Sequence, residues 1–405
     1  MNRPLNAVLN TTKISRVGNR IRRPGRPGTD GDAVANVVIT GGGGFLGARL
    51  ARELLAAGSL AVAGRGEQPI SQLTLLDRVP VPADLAADRR VTAIRGDLGE
   101  LLDPAGRGRP GPARTAAAAD APAGTAVDAP AGTAADALAG ATRAGRALAG
   151  ADVIFHLAAA VSAECEADFD LGIRANLRAT ESLLASCRAL GTNPVVVFAS
   201  SVAVFGASGE HPLPDVVDDH TAPNPQSSYG VQKVIGEQLL ADYTRKGFLR
   251  GRAIRLMTVS VRPGRPNAAA SGFLSGIIRE PLAGQRAICP VDPGTEVALA
   301  SPAKATGGLL CAASSSDQAW GGRSAVNLPA LTVSVADMAA ALERVAGPAA
   351  SALIDWVPDP AVARLVTSWP ARIRAGRATR LGLAPDPDFD SIIAMHLAET
   401  RRGRD

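Results

Sequence analysis

The sequence predicts an α/β fold: a doubly wound parallel sheet with helices on both faces, followed by a smaller C-terminal α+β domain. Three observations carry this. Short apolar runs alternate with segments of helical period along residues 35–256, as in a parallel sheet covered on both sides. The first run stops at glycines, and a helical segment starts directly after them. Beyond about residue 257 the alternation weakens. Residues 35–40 read as the first buried strand and 45–57 as the first helix, ended by Gly58. The second strand is expected at 73–76 after a loop at 59–70, the third at 91–95 and the fourth at 153–157. A long helix over 175–190 leads to a fifth strand at 195–199, and a helix over 229–245 to a sixth at 252–256. In the second half, Ser334 is expected to cap a helix over 335–346 that Gly347 ends. Residues 351–405 place Trp356 and Trp369 among short helices.

The chain has 405 residues, enough for two domains. Hydrophobic residues make up 46% and charged residues 20%, so a sizeable core is available and global disorder is excluded. Aromatics are only 3%, which leaves Ala, Val, Leu and Ile to build that core. The formal charge of +5 resides in the first 34 residues, which hold seven basic side chains and two acidic ones. The near-neutral remainder offers no electrostatic footprint for nucleic acid. Residues 1–34 lack apolar periodicity and are expected to be a disordered basic tail, or sequence upstream of the true start. Residues 104–148 are almost entirely small and polar, with an eight-residue repeat at Asp120 and again at Asp128. They bury too little apolar area to offset ordering and are expected to form a disordered insertion between the third and fourth strands. Cys165, Cys187, Cys289 and Cys311 are widely spaced, which fits a reducing cytoplasm and no metal site. No apolar run reaches the about 18 residues of a membrane span, and the N-terminus lacks a signal-peptide core.

The chemistry concentrates at strand ends. Gly41 to Gly47 lies between a strand and a helix and fits GxGxxG. Gly41, Gly44 and Gly47, with Phe45 and Leu46 in the first helical turn, allow a tight turn and aim free N–H groups at a pyrophosphate. Asp77, ending the second strand, is placed to bond both ribose hydroxyls and to repel a 2′-phosphate, favouring NAD over NADP. Asp97 and Leu98 end the third strand, where an adenine would sit. Tyr229 and Lys233 lie four apart at a helix start and share one face. The Lys233 ammonium would lower the tyrosine pKa and hold the nicotinamide ribose. Tyr229 would then act as general base, with Ser201 bonding the same substrate oxygen. His156 reads as a packed structural histidine, and Glu164 with Glu166 as a solvated loop.

In this order these residues resemble the extended short-chain dehydrogenase/reductase family, which includes nucleotide-sugar epimerases and dehydratases. The matching landmarks are the Gly41–Gly47 loop, Gly96-Asp97-Leu98, His156-Leu157-Ala158-Ala159, Asn176, Ser200-Ser201, Tyr229 and Lys233. The resemblance covers about residues 35–320. It implies a Rossmann-type NAD-binding domain over 35–256 and a substrate-binding domain over 257–405. Ser201, Tyr229 and Lys233 would be catalytic. Leu157, Ala158, Ala159 and Asn176 would line the NAD pocket.

Residues 160–172, 258–264, 268–273, 277–284 and 366–370 are similar to a subfamily of sugar-acid dehydrogenases. Its members oxidise the C2 hydroxyl of a four-carbon acid, D-erythronate, to the 2-keto acid with NAD. That likeness puts Ser162, Ser201, Tyr229, Thr258 and Arg262 around the substrate. An anionic substrate needs a cation at its carboxylate, and Arg262 or Arg265 are the candidates. The family also implies a homodimer. Met257 stands where proline is expected, and Ala179 where the broader family has Gly. Two alternatives stand: a nucleotide-sugar epimerase or dehydratase that yields no net NADH, and a non-catalytic NAD-binding protein.

Overall fold

The computed structural model describes residues 33–102, 142–264 and 271–402. The expected basic tail, except its last residues, and most of the expected insertion lie outside the described residues, as does Arg265.

The principal sheet has eight strands. They are β1 (Ala35–Thr40), β2 (Ser59–Ala61), β3 (Glu67–Asp77), β4 (Val91–Arg95), β5 (Val153–His156), β6 (Val195–Ser201), β7 (Arg250–Leu256) and β8 (Val326–Asn327). Seven of them lie in the order β4-β3-β1-β5-β6-β7-β8, every pair parallel, and β2 pairs antiparallel with the start of β3. That is the doubly wound order of the Rossmann fold, extended by one strand. The sequence reason is visible in the strands, where successive residues serve opposite faces. Val37 and Ile39 point into one core and Val38 into the other; Val195 and Val197 oppose Val196 and Phe198 in the same way.

Helices α1 (Phe45–Ala57), α2 (Arg143–Gly150), α3 (Ala179–Leu190), α4 (Ser228–Arg245), α5 (Phe273–Leu282), α6 (Pro302–Ser314), α7 (Val335–Ala346) and α8 (Phe389–Arg402) complete the layers. Apolar side chains of α1 and α6 fill one side of the sheet, and those of α2, α3 and α4 the other. A third core joins α5, α7 and α8 with the strand Glu296–Ala300.

Four expectations need correction. The loop expected at 59–70 contains an antiparallel hairpin, because β2 pairs with the first residues of β3. The insertion ends before α2: Thr142 caps that helix, and Ala144 and Leu148, one turn apart, are buried. The long helix starts earlier, at Phe169, and passes through a π-helical segment, Ile173–Arg178. The domain cut at 256/257 is not clean, since α6 and β8 return to the principal sheet. The stripe Ala305, Leu309 and Ala312 on α6 is buried against that sheet's face. Helix α7, by contrast, runs as expected, with the Ser334 hydroxyl accepting from the Asp337 amide at 3.0 Å.

Candidate active site

The strand order reverses between β1 and β5, and the loops leaving these two strands meet there. Gly41 has φ +77°, and a Cβ on it would come within 2.7 Å of the Ala158 nitrogen. A Cβ on Gly47 would fall 2.0 Å from the Gly41 oxygen. Only glycine allows this closeness, so the motif spacing is a packing requirement of the crevice. The first turn of α1 has no side-chain cap and no acidic residue. Its free N–H groups and positive dipole end therefore suit an anion.

Two clefts meet at this turn. One, of about 970 Å³, is lined by Gly41, Gly44, Phe45, Leu46, Gly47, Leu157 and Ala159, and reaches Ser201, Tyr229, Lys233 and Arg262. The other, of about 920 Å³, runs past Leu157, Ala158 and Ala159 to Asp77, Arg78, Asp97 and Leu98. Together they could hold a dinucleotide, whose diphosphate the glycine turn would receive. The Asp77 carboxylate also accepts from the amides of Gly43 at 2.9 Å and Gly44 at 3.2 Å, so it ties the glycine loop down. Asp77→Ala should lower the preference for NAD over NADP by roughly tenfold or more, because Arg78 beside it is then left to attract a phosphate. Binding constants for both cofactors check this, and an unchanged ratio would contradict it.

Ser201 ends β6, and Tyr229 and Lys233 occupy the first turns of α4, which Ser227 caps. Lys233 is buried; its ammonium donates to the Ala199 carbonyl at 2.9 Å and lies over the Phe198 and Tyr229 rings at 4.9 and 5.5 Å. Burial pushes it down to about 8. The expectation that Lys233 lowers the tyrosine pKa is not what the geometry gives. Burial raises the half-buried Tyr229, while a hydrogen bond from Ser201 and the charge of Arg262 pull it back. The Lys233 charge lies near the ring, held by a backbone carbonyl, and the charge of Arg262 is among the influences that lower the hydroxyl.

Ser162, Ser201, Tyr229, Thr258 and Arg262 line one cavity of about 460 Å³, which Met257, Ser271 and Trp369 help to enclose. The Arg262 guanidinium donates to the Val259 carbonyl at 3.0 Å. Among the described residues no carboxylate pairs with it, and burial lowers its pKa. Trp369 has no motif that marks it as a site residue in the sequence; it lies just past the short helix Pro360–Thr367 and reaches the cavity only through the fold.

Asn176 lies behind the wall rather than in it. Its side chain accepts from the Ala160 amide at 2.7 Å and donates to the Ala160 carbonyl and to Gln232. It thus fixes the loop after β5. Glu164 caps the Val161 amide and Glu166 accepts from the Ser228 amide, so both carboxylates hold helix starts. His156 is buried with its ring nitrogens 2.7 Å from the Thr40 hydroxyl and 2.8 Å from the Thr180 hydroxyl. Its pKa falls from 6.5 to about 3, mainly through burial. Below about 6.5 the unfolded chain takes a proton there that the folded chain refuses. Stability present above that pH is therefore lost as pH falls toward about 3. His156→Gln should flatten this acid limb in denaturant titrations; a limb as steep as the wild type's would contradict the assignment.

Residues 116–297 match the model of the NAD dependent epimerase/dehydratase family. The D-erythronate dehydrogenase of Cupriavidus necator is 46% identical over 366 residues, 90% of this chain and 98% of that protein. The chain belongs to the NAD-dependent epimerase/dehydratase family. Another member, the D-erythronate dehydrogenase of Haemophilus influenzae, is 41% identical over 246 residues, 61% of this chain and 77% of that one. Among solved structures, a nucleoside-diphosphate-sugar epimerase from Agrobacterium tumefaciens is similar with a TM-score of 0.73 at 37% identity, covering 90% and 94% of the two chains. With two dehydrogenases among its relatives and the match to this NAD-dependent family, the chain is an NAD-dependent oxidoreductase, and NAD is its cofactor. Among the described residues no cluster of His, Cys, Asp and Glu could hold a metal ion, and no helix is long and apolar enough to cross a membrane.

Proposed function

We propose that the chain oxidises the C2 hydroxyl of a four-carbon sugar acid, D-erythronate, to 2-dehydro-D-erythronate. The observation that carries this is Arg262, a half-buried cation with no carboxylate partner among the described residues, beside Tyr229 and Ser201 in one small cavity. Such a group calls for an anionic ligand. The names of the two D-erythronate dehydrogenases support the same substrate.

The guanidinium of Arg262 holds the carboxylate and thereby presents C2 to the catalytic pair. The Tyr229 oxygen takes the proton of the C2 hydroxyl. The Ser201 hydroxyl donates to the same oxygen as it becomes a carbonyl. Lys233 orients the ribose and supports the tyrosine ring from below. NAD, when bound, accepts the hydride that leaves C2.

The likeness to the Agrobacterium nucleoside-diphosphate-sugar epimerase favours a second reading, a nucleotide-sugar epimerase that forms no net NADH. An absorbance assay over D-erythronate, its stereoisomers, erythritol and nucleotide sugars separates the two. Net NADH with D-erythronate is expected, and turnover of a nucleotide sugar without it would promote the second reading.

We further infer a homodimer acting in the cytoplasm. Val231 and Ile235 are exposed one turn apart on α4, and Phe169 is exposed on the short helix Phe169–Gly172, which packs against α4. The four free thiols suit a reducing compartment. Sedimentation velocity should show a dimer that Val231→Glu weakens; a wild-type monomer would contradict it.

A further inference from the structure

The substrate cavity of about 460 Å³ has a small recess on the other side of part of its wall. Val202, Thr258 and Trp369 line both, so they form the wall between them. Of the three, only Trp369 has a side chain large enough for its removal to join the two spaces. The second cavity is otherwise lined mainly by apolar groups, among them Leu274, Val297, Ala298 and Val366, with Glu296 its one charged residue. Glu296 is exposed and paired with Arg372, so the depth of this cavity is apolar.

The wall is fixed at several points. The Ser368 carbonyl accepts from the Ala207 amide at 3.1 Å, and the Ala371 carbonyl from the Thr332 hydroxyl at 2.7 Å. Ile373–Arg374 then pairs as a parallel strand with Val217–Asp218. A tryptophan in a segment held in this way is a partition rather than a swinging lid.

The geometry points to Trp369 as the residue that sets substrate length: it confines the acid to four carbons, and the space its indole fills, joined to the recess beyond it, would take an alkyl tail. This rests on the proposed acid-dehydrogenase activity and adds to it the element that selects chain length. With the carboxylate on Arg262 and the C2 hydroxyl on Tyr229, as proposed above, further carbons of a longer acid would run toward the indole, which lines the same cavity.

The test compares D-erythronate with a six-carbon 2,3-dihydroxy acid of the same configuration at C2 and C3 and an unsubstituted tail. The wild type should strongly prefer D-erythronate. Trp369→Ala should raise the six-carbon to four-carbon ratio of kcat/KM by about 10- to 100-fold, and Trp369→Leu by less. The polyhydroxylated six-carbon aldonate should gain less than the alkyl acid, because the opened space is apolar. Should Trp369→Ala fail to fold, Trp369→Leu carries the same comparison. Wild-type inactivity on D-erythronate would sink the substrate reading itself. A wild type active on D-erythronate, with the ratio unmoved in a folded variant that still binds NAD, would overturn the partition.

Discussion

Tyr229→Phe should still bind NAD and should lose turnover by about 10²- to 10⁴-fold. The ring keeps its place over Lys233, 5.5 Å from the ammonium, so the change removes the proton acceptor and little else. Burial holds the Tyr229 hydroxyl above its ordinary value. Oxidation by the wild type should therefore climb with pH as the phenol ionises, and the residual rate of the variant should lack that limb. Stopped-flow reduction of NAD across pH, with NAD affinity measured beside it, checks both points. Near wild-type turnover would remove Tyr229 from the role of base.

Arg262→Met should weaken the acid by about 100-fold or more, because the substrate carboxylate would lose its cation in a half-buried cavity. NAD affinity should change far less. The variant should also shift the alkaline limb of the pH profile upward. The Arg262 charge is among the influences that bring Tyr229 down, and methionine removes it. Neutral erythritol, which leaves the guanidinium unpaired, should be a poor substrate for the wild type and relatively less disfavoured by the variant. Equal losses for acid and polyol, with no movement of the pH limb, would show that Arg262 serves only packing.

The principal sheet was legible because its signals are local. Val37, Val38 and Ile39 form an apolar run that ends at Gly41, and this marks a buried strand followed by a tight turn. Gly58, the αL cap of α1, marks its end as clearly. The hairpin of β2 with β3 was missed because β2 is only three residues long and its partners Glu67, Gln68 and Pro69 carry no strand signal. The return of α6 and β8 to the sheet was missed for another reason. Nothing in residues 302–327 says which apolar surface they will cover, and that is decided by the exposed edge of β7 and the open face of the sheet.

The site divides in the same way. Tyr229 and Lys233 are one helical turn apart, so their shared face follows from spacing alone. The partner that acts on the Tyr229 hydroxyl is 33 residues from it in sequence, and only the fold shows that Arg262 reaches it while Lys233 is held by Ala199. Asn176 illustrates the opposite case. Its position in the order of motifs was legible, but its bonds to Ala160 and Gln232 show a residue that positions a cavity wall. Trp369 has no local signature and belongs to the site only because its segment is pinned against residues 207, 217 and 332.

The central claim is that a hydride leaves C2 of D-erythronate for NAD while Tyr229 takes the hydroxyl proton. D-Erythronate deuterated only at C2 tests this most directly, with the reduced cofactor isolated and analysed by mass spectrometry and NMR. Deuterium should appear in the nicotinamide ring, one atom per 2-dehydro-D-erythronate formed, with a slowed single turnover. Reduced cofactor free of deuterium, or deuterium retained in the product, would contradict the account.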